Sequence, residues 1–113
     1  MQSEKLRTEI PPGTLEMLIL KTIRRFGAMH GYGIAKAIQQ SSEEVLRVEE
    51  GSLYPALQRI LIKGWVTAEW TPSGPKRRSR VYQLTLLGRK RLEAEISEYR
   101  RVTRAIEQVL QPS

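Results

Sequence analysis

The stretch Glu49-Glu-Gly-Ser-Leu-Tyr-Pro-Ala-Leu-Gln-Arg-Ile-Leu-Ile-Lys63 decides the fold. Leu53, Leu57, Ile60 and Leu61 stand at i, i+4, i+7 and i+8, which lines them along one buried face of a helix from about Ser52 to Lys63. A proline deep in a helix clashes with the turn before it, whereas in the first turn its missing N–H was unbonded anyway. Pro55 therefore marks the helix start, and Ser52 is the expected N-cap. Tyr54, Gln58, Arg59, Ile62 and Lys63 fall on the opposite face. Apart from Ile62 that face is polar, with side chains long enough to reach outward.

Upstream, Leu15, Leu18, Ile19, Ile23 and Phe26 keep helical spacing between a Pro12-Gly13 start and a Gly27 stop, so a first helix spans Thr14 to Phe26. Met17 and Leu20 add a second apolar stripe, more than one small domain is expected to cover. His30-Gly-Tyr-Gly33 reads as a turn, and Ile34, Ala35, Ala37 and Ile38 as a short second helix ending in Gln39-Gln-Ser-Ser42. The connection Glu43 to Glu50 is long for a simple helix-turn-helix, and Val45, Leu46 and Val48 leave room for a short strand.

Downstream, Gly64 ends the third helix, Trp65 to Trp70 reads as a strand, and Arg80 to Leu84 as its returning partner. Thr71-Pro-Ser-Gly-Pro-Lys-Arg-Arg-Ser-Arg80 between them is expected to be a basic loop at the hairpin tip. Trp65 and Trp70 are an odd number of residues apart and face opposite sides of a regular strand; Trp65 is assigned to the core, Trp70 to the domain edge or a bound partner. Thr85 is placed to cap a long fourth helix in which Leu92, Ile96, Tyr99, Thr103, Ile106 and Leu110 alternate by four and three. That seam runs for about three heptads.

The 113 residues carry 19 Lys and Arg against 12 Asp and Glu, a formal charge of +7, and 40% are apolar. This suits one small basic domain with a core of its own. The charge is localised: residues 1–50 are neutral in sum, whereas Lys76, Arg77, Arg78 and Arg80 lie in a stretch without any acid. Cysteine is absent, which excludes disulfides, thiolate metal sites and cysteine nucleophiles. His30 is the only histidine, and a turn or a place near nucleic acid suits it better than metal ligation. Ser52 has no base at recognisable spacing, so no enzyme, metal or cofactor is expected. No stretch approaches the ~18 apolar residues of a membrane span, and the polar N-terminus has no apolar targeting segment. A cytoplasmic protein without membrane contact is expected.

Three helices, a hairpin with a basic tip and a further helix follow the order of a winged helix-turn-helix: mainly α, with a small β-hairpin. The expected division is an N-terminal tail over 1–12, a winged helix-turn-helix DNA-binding domain over 13–84 and a C-terminal dimerisation helix over 85–113. The third helix would enter the major groove of double-stranded DNA with Gln58, Arg59 and Lys63 as readers. Its free N–H groups and the Ser52 and Tyr54 hydroxyls would anchor phosphate, and Lys76, Arg77, Arg78 and Arg80 would add charge at the tip. One copy making about four to six phosphate contacts binds weakly at physiological salt, and a two-fold dimer doubles the footprint. The long seam, with Leu15 and Leu18 of the first helix, is expected to pack on a second copy. The alternative is a winged-helix protein-interaction module that uses the same apolar surfaces and does not read DNA; retention on duplex DNA tells the two apart.

Gly13-Thr-Leu-Glu-Met-Leu-Ile-Leu20, His30-Gly-Tyr-Gly-Ile34, Glu49 to Ile60, Lys63-Gly-Trp-Val66 and Tyr82-Gln-Leu-Thr-Leu-Leu-Gly-Arg89 resemble the PadR family of bacterial transcriptional regulators, over residues 13 to 110. The resemblance implies a homodimeric winged-helix regulator, usually a repressor, with its last helix laid over the partner's first helix and a pseudo-palindromic operator. It implies that the Ser52-Leu-Tyr-Pro55 stretch lies on the DNA backbone and that Tyr32 approaches phosphate. The wing matches by position and charge alone. A single C-terminal helix resembles the short branch of the family, without a separate ligand domain. Some relatives bind flat hydrophobic molecules between the dimer helices, which makes Tyr99, the one aromatic of the seam, the candidate contact for a small hydrophobic effector.

Overall fold

The computed structural model describes residues 8–11, 13–75 and 77–112. In chain order its elements are β1 Thr8–Glu9, α1 Leu15–Phe26, β2 Met29–His30, α2 Gly31–Ser41, β3 Leu46–Arg47, α3 Glu50–Ile62, β4 Val66–Gly74, β5 Arg77–Leu84 and α4 Leu86–Leu110. Among the described residues no helix is long and apolar enough to cross a membrane.

The apolar faces predicted from spacing converge on one core. Leu53, Leu57 and Ile60 of α3 are buried with Ala56, against Ile34 and Ile38 of α2, Ile19 and Ile23 of α1, and Val66 and Tyr82 of the hairpin. Met17 and Leu20 are buried in this same core, so the stripe that looked surplus on α1 is used at home. The apolar surface α1 has to spare is at Leu15 and Leu18, half-buried, and Phe26, exposed.

The sheet has the order β2-β5-β4 and is antiparallel throughout, with Met29 opposite Tyr82 and Val66 opposite Leu84. The hairpin is longer than its Pro- and Gly-containing sequence suggested: β4 runs to Gly74 and β5 begins at Arg77, so most of the expected loop is paired strand. β4 is an edge strand, where a proline is tolerated, and a register shift between Pro72 and Gly74 absorbs the irregularity. β1 pairs in parallel with β3, which ties part of the expected N-terminal tail to the connection between α2 and α3. That connection is further fixed by Gln39, whose Oε1 accepts from the Val48 amide, and by Ser42, whose Oγ accepts from the Leu46 amide.

α4 begins where the sequence placed it. The Thr85 hydroxyl accepts from the Gly88 amide at 2.9 Å and donates to the Gly64 carbonyl at 2.7 Å, so one side chain caps α4 and fastens it to the end of α3. Twenty-five residues make α4 about 37 Å long. Its first half meets the domain: Leu92 is fully buried and Ile96 half-buried against the core, whereas Tyr99, Ile106 and Leu110 are exposed. Leu92 therefore belongs to its own chain's core, which corrects its place in the expected intermolecular seam.

Candidate nucleic-acid interface

α3 starts at Glu50 with Glu49 in the N-cap position, not at Ser52. Ser52 is exposed inside the first turn, and Pro55, also exposed, lies beyond that turn. The helix tolerates Pro55 there because the carbonyl it leaves without an N–H partner belongs to Gly51, on the exposed side where water can take its place. Glu49 and Glu50 occupy the positive end of the helix, with Arg47 paired to Glu49 at 3.4 Å. Two carboxylates thus stand where the sequence suggested phosphate anchors.

The outward face of α3 divides in two. Tyr54 and Gln58, one turn apart, open into a cleft of about 830 Å³ between α3 and the hairpin, which Tyr32 of α2 and Trp70, Arg78, Arg80 and Tyr82 of the hairpin complete. Arg59 and Lys63 turn the other way: Arg59 Nε donates to Glu16 Oε2 at 2.7 Å and Lys63 Nζ to Glu16 Oε1 at 3.4 Å. Lys63 Nζ also lies 4.6 Å from the centre of the Trp65 ring. These two expected readers are therefore held by a carboxylate of α1, a contact that spacing along α3 had no means of revealing.

The hairpin contributes its charge through strand register. Val66, Ala68 and Trp70 of β4 share a face with Tyr82 and Arg80 of β5, because Ala68 stands opposite Tyr82 and Trp70 opposite Arg80. At the base this face is core. Further out, where it lines the cleft, the same face carries Trp70, Arg80 and Arg78, whose guanidinium carbons lie 5.1 Å (Arg80) and 5.5 Å (Arg78) from the Trp70 ring centre. Lys76 and the side chain of Arg77, two of the expected tip contacts, lie outside the described residues.

The glycine of the His30-Gly-Tyr-Gly motif has a packing reason. Gly31 is the first residue of α2 rather than part of a preceding turn, and a Cβ there would come within 3.1 Å of Leu57 and 3.2 Å of the Tyr54 ring. Its absence lets α2 approach α3 closely enough for Tyr32 and Tyr54 to share one cleft. His30 Nδ1 and Arg80 Nε are buried at this cleft with no hydrogen-bond partner among the described residues. His30 and Trp70 join the site although the sequence assigned them no definite role in it; the hairpin register and the α2–α3 approach bring them there.

Three helices with an exposed, largely polar face on the third, a basic hairpin at its side and a long helix behind define a winged helix-turn-helix protein. The family model for the transcriptional regulator PadR-like family matches residues 19–94, and the chain belongs to that family. No curated protein matches the sequence. Among solved structures, a transcriptional regulator from Clostridium thermocellum is similar with a TM-score of 0.81 and 23% identity, over 88% of this chain and 95% of that one. A PadR family regulator from Clostridium difficile is similar at 0.73 and 28%, over 88% of this chain and all of the other. Bacillus subtilis PadR, solved in complex with operator DNA, is similar at 0.68 and 26%, over 76% of this chain and 48% of that protein.

Proposed function

We propose that this regulator is a cytoplasmic, homodimeric repressor that binds a pseudo-palindromic operator in double-stranded DNA. The observation that carries the reading is the composition of the cleft: Tyr32, Tyr54 and Gln58 from the helices meet Arg78 and Arg80 from the hairpin, and among the described residues no carboxylate lines it. Such a surface offers hydrogen bonds to base edges beside cations for phosphate. The similarity to a PadR solved on its operator supports the same mode. Gln58 is the reader, Tyr32, Ser52, Tyr54 and Pro55 lie along the backbone, and Lys76, Arg77, Arg78 and Arg80 form the basic wing.

The dimer seam runs along α4 through Ile96, Tyr99, Thr103, Ile106 and Leu110, with Leu15 and Leu18 receiving it on the other copy. Ile106 and Leu110 are 52% and 68% exposed in the single chain, more apolar surface than a solitary helix end normally leaves in water. Tyr99 on the same seam is the contact for a small hydrophobic effector.

Selection of genomic fragments on the full-length protein, followed by footprinting, tests the proposal. It predicts protected half-sites about one helical turn apart and affinity that falls steeply with salt. Reversing Arg78 and Arg80 to Glu weakens all sequences alike, whereas Gln58→Ala also alters base preference. Retention of no duplex, or binding indifferent to salt, overturns it in favour of a protein-interaction module.

A further inference from the structure

Trp70 is out of keeping with its face of β4. Val66 is buried and Ala68 partly so, yet Trp70, next but one along, is 55% exposed and takes no part in the core. What it touches is charge. Arg80 stands directly across the ladder from it and Arg78 across from Pro72, and both guanidiniums lie within cation–π range of the indole. Neither arginine forms an ion pair among the described residues, in contrast to Arg59 and Lys63, which Glu16 holds.

The two ways of fixing a cation differ in consequence. A carboxylate spends the donors of a guanidinium and cancels its charge toward a third group. An aromatic face restricts the side chain but leaves the charge and most of the N–H donors available. Arginine side chains lose considerable rotamer freedom on binding, so restricting them beforehand lowers the entropic cost of the contact. We propose that Trp70 is a positioning residue of the wing, whose indole holds Arg78 and Arg80 in a preset, still charged arrangement toward the cleft, ready for the phosphates of a duplex. This rests on the DNA-binding reading above.

The test compares wild type with Trp70→Leu, which keeps bulk without a π face, and Trp70→Phe, which keeps the face. Binding to the operator recovered by selection is measured as a function of salt, and the Arg Nε–H resonances are recorded in the free protein. Trp70→Leu is expected to bind roughly tenfold more weakly, with Trp70→Phe retaining most of the affinity. Loss of two aimed cations in each copy of the dimer also makes the slope of log affinity against log salt shallower by up to about 3.6, at about 0.9 per phosphate. The Arg78 and Arg80 resonances are expected to be ring-current shifted in wild type and Trp70→Phe but not in Trp70→Leu, with the melting midpoint unchanged. Wild-type affinity and slope in Trp70→Leu overturn the proposal. So does a loss of affinity at unchanged slope, which would make the indole itself the DNA contact, or unshifted resonances in wild type. Shifted resonances in a wild-type protein that binds no duplex would instead overturn the DNA-binding reading, and the wing's role with it.

Discussion

Gly88 and Thr85 show how much of this fold rests on single atoms where α4 leaves the hairpin. A Cβ on Gly88 would overlap the carbonyl of Trp65, a backbone group that has no room to move aside, so Gly88→Ala is expected to cost about 3 kcal/mol in chemical unfolding. A loss under about 1 kcal/mol would mean that α4 shifts to make room. Thr85→Val removes both the α4 cap and the bond to the Gly64 carbonyl and is expected to cost about 1–2 kcal/mol, measured in the same way. The Thr85 cap was legible in the sequence because a capping residue and the helix it starts are neighbours in the chain. The reason for Gly88 was not, since the atom that excludes a side chain there lies on Trp65, across a hairpin whose length spacing did not define.

At the scale of elements, α3 presents two surfaces with different fates. Its buried face was readable from the recurrence of Leu53, Leu57 and Ile60, because a helix converts spacing into direction without reference to anything else. Its outer face was readable only as outer. Tyr54 and Gln58 open to the cleft, whereas Arg59 and Lys63 are taken up by Glu16 of α1. The Glu16 side chain is 19% exposed but its two cations are about half exposed, so the pairs stay open to solvent on one side and contribute about 1 kcal/mol or less; Glu16→Gln should leave unfolding nearly unchanged. Releasing two cations beside α3 in each copy of the proposed dimer should instead raise affinity for duplex several-fold at low salt and steepen the salt slope by up to about 3.6. Unchanged binding of Glu16→Gln would place Arg59 and Lys63 out of reach of phosphate even when free. The hairpin followed a similar course: its strands were expected, but its extension to Gly74 was masked by Pro72, which an edge strand accommodates.

For the whole molecule, the informative contrast lies along α4. Leu92 and Ile106 belong to one periodic seam in the sequence, yet Leu92 is 0% and Ile106 52% exposed. Leu92→Ala is expected to destabilise each chain by about 3 kcal/mol while leaving its association to follow folding. For the dimer proposed above, Ile106→Asp is expected to leave the domain folded and to yield monomers in sedimentation. It should also abolish the concentration dependence of the melting temperature and weaken operator binding by a factor of ten or more as the second half-site is lost. An Ile106→Asp protein that remains dimeric would remove the far end of α4 from the interface. The sequence by itself determined the helices, their buried faces, the cap of α4 and the basic stretch after β4, because periodicity, capping and local charge are properties of residues near one another in the chain. Only the tertiary structure decided that Trp70, Arg78 and Arg80 stand on one face opposite Tyr54 and Gln58, that Glu16 holds Arg59 and Lys63, and that Leu92 turns inward. Each of these depends on contacts between segments distant along the chain, set by strand register and by how closely two helices approach.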